Sequence, residues 1–247
     1  MDSTSDFIET ADIETSSEDY AARFSGAVGA WFLKIQGEAT LQMLRPYAGA
    51  TVLDVGGGHG QLTSALVLNG YRVTVLGSAA VCQARIAKFI QQGRCSFTVG
   101  NILALPYPDR AFDVVISYRL LPHVSRWPQL LGELTRVARS AVLIDYPAVR
   151  SFNCLGPVLF KLKKNLEGNT RPFTCFKETE LLEVFGQFGF ICRERYPEFF
   201  LPMILHKTLK WPLLSSGAEA LFRLLGITSW VGSPVILKLV RVKGQAS

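Results

Sequence analysis

One segment constrains the fold more than any other: residues 51–60, Thr-Val-Leu-Asp-Val-Gly-Gly-Gly-His-Gly. Its aliphatic first half is typical of a parallel strand that is covered on both faces. Gly56, Gly58 and Gly60 then permit a sharp turn and let backbone amides approach a ligand closely. Residues 61–68 continue as a predicted helix. Strand, glycine turn and helix together predict a nucleotide-like ligand at the carboxyl edge of an open α/β sheet.

The spacing of these glycines favours one kind of ligand over another. A dinucleotide site needs Gly-x-Gly-x-x-Gly, but Gln61 stands at its third position and Gly60 comes one residue early. The pattern Asp54-x-Gly56-x-Gly58-x-Gly60 instead resembles the first motif of the class I S-adenosylmethionine-dependent methyltransferases. A glycine pattern by itself also fits other nucleotide sites or a plain tight turn. The rest of the chain therefore decides.

An alternation of strands and helices continues along the chain. The predicted strands are 51–55, 71–76, 95–99, 111–117, 140–146, 190–198 and 233–242, and the predicted helices are one from Gly60, 79–91, 127–138 and 177–188. Such a succession demands a parallel sheet with helices on both faces. The predicted fold class is α/β: a doubly wound, mostly parallel, seven-stranded sheet. The resemblance to the methyltransferases implies that the last strand is antiparallel.

Two further segments are similar to the same family. Residues 103–117, Leu-Ala-Leu-Pro-Tyr-Pro-Asp-Arg-Ala-Phe-Asp-Val-Val-Ile-Ser, match its Leu-Pro-Phe-x-Asp-x-x-Phe-Asp-Val-Val stretch, and residues 121–124 match the family's next segment. Residues 133–137, Glu-Leu-Thr-Arg-Val, match its Glu-x-x-Arg-Val helix. The resemblance covers residues 45–147 with the motif order intact. It implies S-adenosyl-L-methionine as cofactor and methyl transfer, by in-line displacement, to a small lipophilic or aromatic acceptor.

The resemblance also implies a set of cofactor-binding residues: Asp54, Gly56, Gly57, Gly58, Gly60, Gly77, Ser78, Asn101, Ile102, Ser117 and Tyr118. Two positions depart from the family. Gly77 stands where an Asp or Glu usually takes the ribose hydroxyls, and Ser78 offers only a neutral bond, worth about 1 kcal/mol against roughly 1.5–3 for a charged one. Asn101 replaces an Asp that commonly meets the adenine amino group, although an amide oxygen accepts the same bond. We expect weaker cofactor affinity than usual.

The candidate catalytic residues come after the fourth predicted strand. Alignment of the reactants supplies up to about 7–11 kcal/mol in well-oriented cases, so a base is needed chiefly for a hydroxyl acceptor. His123, at the sheet edge, is the candidate general base, with a capping or packing role as the competing interpretation. Tyr118 is a second catalytic candidate. Tyr118 and Arg119 are also candidates for contacts with the acceptor or with the methionine end of the cofactor.

The amino-terminal region differs in charge from the rest of the chain. Residues 1–20 hold seven acids and no Lys or Arg, so all 26 basic residues lie beyond them. Tyr20, Arg23 and Phe24 are possible lid contacts under the resemblance. The predicted divisions are a disordered acidic tail over 1–17, a single domain over 18–247, amino-terminal helices over 18–50, a cofactor-binding core over 51–146, and substrate-lid insertions over 147–176 and 203–232.

The two insertions combine apolar residues with a basic fringe. This combination suits a hydrophobic or anionic small molecule, or peripheral contact with an anionic membrane, while simple packing onto the sheet competes with both. We expect no nucleic acid, because no Lys/Arg-rich run is interleaved with aromatic residues. The oligomeric state is left open.

Cysteine and histidine spacing gives no sign of a metal site. The five cysteines are odd in number and lack a Cys-x-x-Cys pair, and the three histidines are dispersed; neither a disulfide framework nor zinc is predicted. Without a signal core or a charge-free run of membrane-spanning length, the default location is cytoplasmic.

Two alternatives to a methyltransferase stay open. An NADP-dependent oxidoreductase would explain the missing acid at Gly77, since a basic partner there suits a 2′-phosphate. A non-catalytic methyltransferase-like protein would bind a partner or a membrane surface through the insertions.

Overall fold

Seven strands form one sheet in the order β3-β2-β1-β4-β5-β7-β6 in the computed structural model, which describes residues 8–151, 173–209 and 211–242. The strands are β1 Thr51–Val55, β2 Arg72–Gly77, β3 Cys95–Val99, β4 Phe112–Ser117, β5 Ala138–Tyr146, β6 Phe190–Pro197 and β7 Val235–Arg241. Pairs from β3 to β5 are parallel, whereas β7 runs antiparallel to both β5 and β6. The predicted doubly wound sheet with an antiparallel last strand is confirmed.

The described helices surround this sheet. They are α1 Ala11–Thr15, α2 Glu18–Ala22, α3 Gly26–Leu44, α4 Thr63–Leu68, α5 Ala87–Gln91, α6 Trp127–Val137, α7 Glu178–Gln187, α8 Met203–Leu209, α9 Pro212–Leu224 and α10 Ile227–Val231. The helix predicted over 79–91 begins instead as a 3-10 helix, Ala80–Ile86, which is a geometry used in short connectors. The insertion predicted over 203–232 contains α8, α9 and α10, and most of the one predicted over 147–176 lies outside the described residues.

Both faces of the sheet are buried. Because side chains alternate along a strand, Leu53 and Val55 join the core under α6 and α7, whereas Val52 joins the core under α3 and α4. Leu53, Val55 and Val52 have no exposed surface. This double coverage fixes the carboxyl ends of β1, β2 and β4 side by side at one edge.

The amino-terminal segment is ordered where the structure describes it. Residues 11–15 form α1, and Ala11, Asp12, Thr15 and Ser16 are all buried. The prediction of a disordered tail over 1–17 was therefore wrong for residues 11–16. The acidic composition of this segment suggests disorder. The contacts that order it are not visible in the local sequence, because the partners of the Asp12 carboxylate lie more than 60 residues away.

Three chemical features of the described residues bear on function. None of their helices has both the length and the apolar character needed to span a bilayer. They contain no group of three or more His, Cys, Asp or Glu residues placed to hold a metal ion. Cys82, Cys95 and Cys192 are free thiols, whereas Cys175 is disulfide-bonded, a bond that the cysteine spacing gave no reason to expect.

Candidate cofactor and acceptor site

The glycine turn lies at the edge where the carboxyl ends of the strands meet. β1 lies between β2 and β4. The chain adds β2 and β3 on one side of β1 and then adds β4 and β5 on its other side, so the strand order reverses at β1. Gly56 and Gly60 have φ of 74° and 70°, a region that favours glycine. The Gly56 amide donates to the Leu76 carbonyl at 2.8 Å, which ties the turn to the end of β2. Open α/β sheets bind their ligands at such a switch point.

The space around the turn explains why it needs glycine. A Cβ added at Gly57 would lie 2.1 Å from the carboxylate of Asp54. A Cβ added at Gly58 would lie 2.3 Å from the carbonyl oxygen of Cys82 and 2.4 Å from the Ser16 hydroxyl. Neither position accommodates a side chain, and the Asp54 carboxylate lies directly against the turn.

Asp54 is the most distinctive polar residue of this site. Its side chain is fully buried, and neither carboxylate oxygen has a hydrogen-bond partner among the described residues. Burial raises its pKa to about 7. The side-chain amide of Gln61 and the hydroxyl of Thr63, just after the turn, are also buried without a partner in the described part of the chain. Since buried polar groups are normally paired, these orphaned atoms beside a glycine cradle fit a polar ligand that carries an ammonium group, as S-adenosylmethionine does.

The end of β2 shows why no acid stands at Gly77. A Cβ added there would lie 2.8 Å from the Cβ of Cys82 and 3.1 Å from the ring of Phe97. The carboxylate of Asp12 reaches this place instead and accepts from the Ser78 amide at 2.6 Å and from its hydroxyl at 2.5 Å. Sequence reasoning missed Asp12, because nothing in the local sequence links it to β2.

Three further predicted cofactor residues, Asn101, Ser117 and Ile102, lie at the same edge. The side chains of Asn101 and Ser117 are hydrogen-bonded within the protein. The Asn101 side-chain oxygen accepts from the Leu103 amide at 2.9 Å. The Ser117 hydroxyl donates to the Val55 carbonyl at 3.1 Å and joins the ends of β4 and β1. Ile102 is buried in the core. These three shape the edge of the sheet, and their role toward a cofactor stays a prediction.

The two catalytic candidates differ in their placement. Tyr118 is fully buried in the core, and its hydroxyl lies 3.1 Å from that of Thr40 on α3. In this position Tyr118 packs against α3, and its predicted roles toward the cofactor and in catalysis stay predictions. His123 ends the 3-10 helix Leu121–His123 after β4 and is half-buried. Its role as a base stays a prediction.

A second polar group, which we call the acid cluster, consists of Gln36, Arg119, Asp145 and Glu198. The Gln36 amide donates to Glu198 at 2.9 Å, and its nitrogen lies 3.5 Å from Asp145. Arg119 donates from its backbone to Asp145 at 2.6 Å and from its guanidinium to Gln36 at 2.9 Å. Its φ of 61° is unusual for a residue with a side chain. The ring of Phe24 covers the guanidinium at 3.8 Å.

The two carboxyl groups of the acid cluster ionise at different pH values. Burial raises the pKa of Asp145 to about 6, against the opposing effect of Arg119. Burial and then the Asp145 charge raise the pKa of Glu198 to about 8. At neutral pH Glu198 therefore holds a proton while Asp145 is largely ionised. Of these four residues the sequence pointed only to Arg119, since Gln36, Asp145 and Glu198 come from separate elements and form no local motif.

Comparison with known proteins agrees with this geometry. A family profile described as "Methyltransferase domain" matches residues 53–144. Ajmaline N-methyltransferase of Rauvolfia serpentina is 34% identical over 99 residues, which are 38% of this chain and 34% of that protein. Ubiquinone biosynthesis O-methyltransferase of Paramagnetospirillum magneticum is 35% identical over 95 residues, 38% of each chain.

A solved structure shares the fold over almost the whole chain. Magnesium protoporphyrin IX methyltransferase from Synechocystis PCC 6803, with bound SAH, superposes with a TM-score of 0.63 at 14% identity and covers 91% of this chain and 94% of that one. Fold, glycine turn and matched residues together define a class I S-adenosylmethionine-dependent methyltransferase domain. Residues 53–144 match a methyltransferase domain, as the glycine spacing predicted. The chain spans between a third and two fifths of the length of the two curated relatives named above.

Proposed function

We propose that this protein transfers a methyl group from S-adenosyl-L-methionine to a small acceptor with a hydrophobic or aromatic body. The observation that supports the proposal most strongly is the buried carboxylate of Asp54 on the glycine turn, which has no partner among the described residues. A cofactor ammonium group would give that carboxylate the charged partner it lacks. The acid cluster at the same edge of the sheet would then face the reacting end of the cofactor.

The cofactor supplies an activated methyl group on a sulfonium, so the protein has mainly to bind, align and exclude water. The glycine turn and Asp54 would hold the amino-acid end. The nucleoside would lie against Gly77, Ser78, Asn101 and Ile102. Exclusion of water is favoured by aromatic residues over the site, since Phe24 covers Arg119 and Tyr20 lies beside that guanidinium.

The acceptor would bind against the acid cluster. Asp145 and Glu198 differ in pKa, so an ionised carboxylate stands near a protonated carboxyl at neutral pH. Such a pair can receive a proton from an acceptor hydroxyl or amine as the methyl group arrives. His123 is the second candidate for this role. The names of the two curated relatives include both N- and O-methylation, and both acceptor atoms release a proton.

The proposal is tested by turnover with a panel of small aromatic alcohols and amines, with methylated product measured by mass spectrometry. We expect product with at least one member of the panel, and a large loss of turnover in Asp145→Asn or in His123→Ala with cofactor affinity retained. Asp19→Asn, which neutralises one exposed acid on α2, is the matched control. Binding of the cofactor with no product across alcohols, amines and carboxylates would contradict the proposed acceptor class.

One observation favours a second function, peripheral membrane contact. Trp211, Leu213, Leu224 and Trp230, on or beside α9 and α10, are between 65% and 87% exposed, and Lys207 on the preceding α8 adds a basic side chain. Apolar side chains beside basic ones suit the surface of an anionic bilayer. We expect the protein to sediment with phosphatidylglycerol vesicles. The double variant Leu213→Ser/Leu224→Ser should sediment less, and Leu68→Ser, exposed at the end of α4, should not. Failure of the unmodified protein to sediment would contradict this function.

A further inference from the structure

We infer that residues 9–16 are a tethered occupant of the cofactor site, which S-adenosylmethionine must displace in order to bind. This inference rests on the proposed function and adds a regulatory role for Asp12. The segment, centred on α1, lies at the end of β2 and on the glycine turn. These are the two elements on which a class I methyltransferase domain would place its cofactor.

The tether is the carboxylate of Asp12. Its two oxygens accept from the amide and the hydroxyl of Ser78 at 2.6 and 2.5 Å, and one of them also accepts from the Cys82 thiol at 3.4 Å. Asp12 has no exposed surface. The Asp12 carboxylate therefore lies at the end of β2, where Gly77 stands in place of an acid. It accepts from Ser78 and Cys82, however, and has no exposed surface.

The segment also covers the turn itself. Ser16 is buried, and its hydroxyl lies 2.4 Å from the point that a Cβ on Gly58 would occupy. Gly57 and Gly58 are buried. Glycine in a ligand loop gives a ligand close access to the backbone, but here the chain's own serine takes that space. Beyond this, Glu18 on α2 pairs with Arg85 at 2.6 Å and holds the following helix beside the 3-10 helix Ala80–Ile86.

The occupied state leaves polar groups unpaired, which allows its displacement. α1 satisfies Ser78 but leaves both carboxylate oxygens of Asp54 and the Gln61 side chain without partners among the described residues. A ligand that pairs Asp54 gains an interaction that α1 does not make. Because only the fraction of molecules with α1 released can bind, the apparent dissociation constant is the intrinsic one divided by that fraction.

The first test is calorimetric titration of the full chain with S-adenosylhomocysteine, comparing the unmodified protein with Asp12→Ala. Loss of the tether should tighten binding at least tenfold. Asp19→Ala, which removes one exposed acid from α2, is the charge-matched control and should bind as the unmodified protein does. Equal or weaker binding by Asp12→Ala would overturn the inference, and weaker binding would instead make Asp12 a partner of the bound cofactor.

A second test does not depend on the cofactor. Cys82 is 1% exposed and its thiol lies on Asp12, so release of α1 should expose it. We expect the rate of Cys82 alkylation, followed by peptide mass spectrometry in the ligand-free protein, to rise at least tenfold in Asp12→Ala. Cys95, buried at the start of β3, is the internal reference and should be unaffected. An unchanged Cys82 rate would overturn the inference. Another outcome is that Cys82 becomes reactive in Asp12→Ala while neither the unmodified protein nor Asp12→Ala binds S-adenosylhomocysteine. That result would contradict the proposed function but would support Asp12 as the group that holds α1 in place.

Discussion

Three of the buried carboxylates at one edge of the sheet, Asp12, Asp54 and Glu198, have very different partners. Asp12 has two donors on Ser78, Asp54 has none among the described residues, and Glu198 accepts from Gln36 and faces the charge of Asp145. A buried carboxylate is tolerated in proportion to the donors it finds. The pKa of Asp54 and that of Glu198 are raised accordingly, and the ionisation of each can be followed by experiment.

The pKa of Asp54 makes cofactor affinity depend on pH. Burial raises that pKa to about 7 in the ligand-free protein, and an ammonium group binds the ionised form. Lowering the pH from about 7.5 to about 6 should therefore weaken binding of S-adenosylmethionine several-fold, since each unit below the pKa reduces the ionised fraction about tenfold. Titration calorimetry at the two pH values measures this. A flat profile would show that Asp54 does not bind the ammonium group.

The pKa of Glu198 makes stability depend on pH. Its folded-state pKa, about 8, lies above the ordinary value of 4.5, so the folded protein holds the proton more tightly. This contribution to stability is present below pH 4.5 and is lost as the pH rises through 8. Glu198→Gln keeps an acceptor for Gln36 without ionising. At about pH 8.5 its free energy of unfolding should exceed that of the unmodified protein by roughly 1–3 kcal/mol.

Urea denaturation at about pH 4 and about pH 8.5 checks the prediction for Glu198. The two proteins should differ at the higher pH and agree within about 0.5 kcal/mol at the lower one. A variant that is destabilised equally at both values would assign Glu198 a role in packing only.

At the scale of single residues, the sequence predicted the site residues that share one motif. It did not predict the hydrogen bonds between residues that are far apart in the chain. Asp54 and the glycines fall within one short motif, so their positions were readable. Asp12 bonds to Ser78 across 66 residues, and Gln36 bonds to Glu198 across 162. Such pairs depend on the final placement of separate elements, which spacing along the chain does not encode.

At the scale of elements, the turn between β1 and α4 is the least tolerant of change. Gly58→Ala would place a methyl group 2.3 Å from a backbone oxygen, so the turn or the 3-10 helix Ala80–Ile86 must move. We expect a loss of about 1–3 kcal/mol in the free energy of unfolding and loss of cofactor binding. Thermal unfolding and calorimetry measure the two effects.

The matched control for this substitution lies in α7. A Cβ added at Gly186 meets nothing within 4 Å, and alanine is favoured over glycine inside a helix by about 1 kcal/mol. Gly186→Ala should therefore be neutral or stabilising and bind cofactor normally. Equal behaviour of the two variants would show that the glycine turn is not a constrained site.

The strands were predicted within a few residues, and the elements that failed share a cause. β1 and β3 have their predicted bounds, because continuous apolar runs ended by polar or glycine residues mark buried strands clearly. The helix over 79–91 was predicted from the alternation of strands and helices, and the tail over 1–17 was predicted from its acidic composition. Both lie beside the Asp12 contact, where tertiary hydrogen bonds outweigh local preference.

At the scale of the whole molecule, topology brings the site together. Parallel strands β2, β1, β4 and β5 end at one edge, so Ser78, Asp54, Arg119 and Asp145 converge from four parts of the chain. The doubly wound architecture was predictable, because alternating strands and helices permit few arrangements. The position of the amino-terminal segment across this edge was not, since it depends on a single carboxylate and a few small residues.

Ligand binding should stabilise the whole domain by mass action. At a concentration about one hundred times its dissociation constant, a ligand that binds only the folded state adds about 2.7 kcal/mol. For a chain of 247 residues this should raise the melting temperature by several degrees. S-adenosylhomocysteine should produce the shift and reduced nicotinamide nucleotides should not. The reverse pattern would favour the oxidoreductase that the glycine spacing argued against.

The most direct test of a cofactor held by the glycine turn and Asp54 is calorimetric titration with S-adenosylmethionine. Any copurified ligand should first be removed, and the unmodified protein should be compared with Asp54→Asn. We predict saturable binding of one molecule per chain, weakened at least tenfold in the variant, since a charge-assisted bond contributes roughly 1.5–3 kcal/mol. Absence of binding by the unmodified protein, or equal binding by both proteins, would contradict that claim.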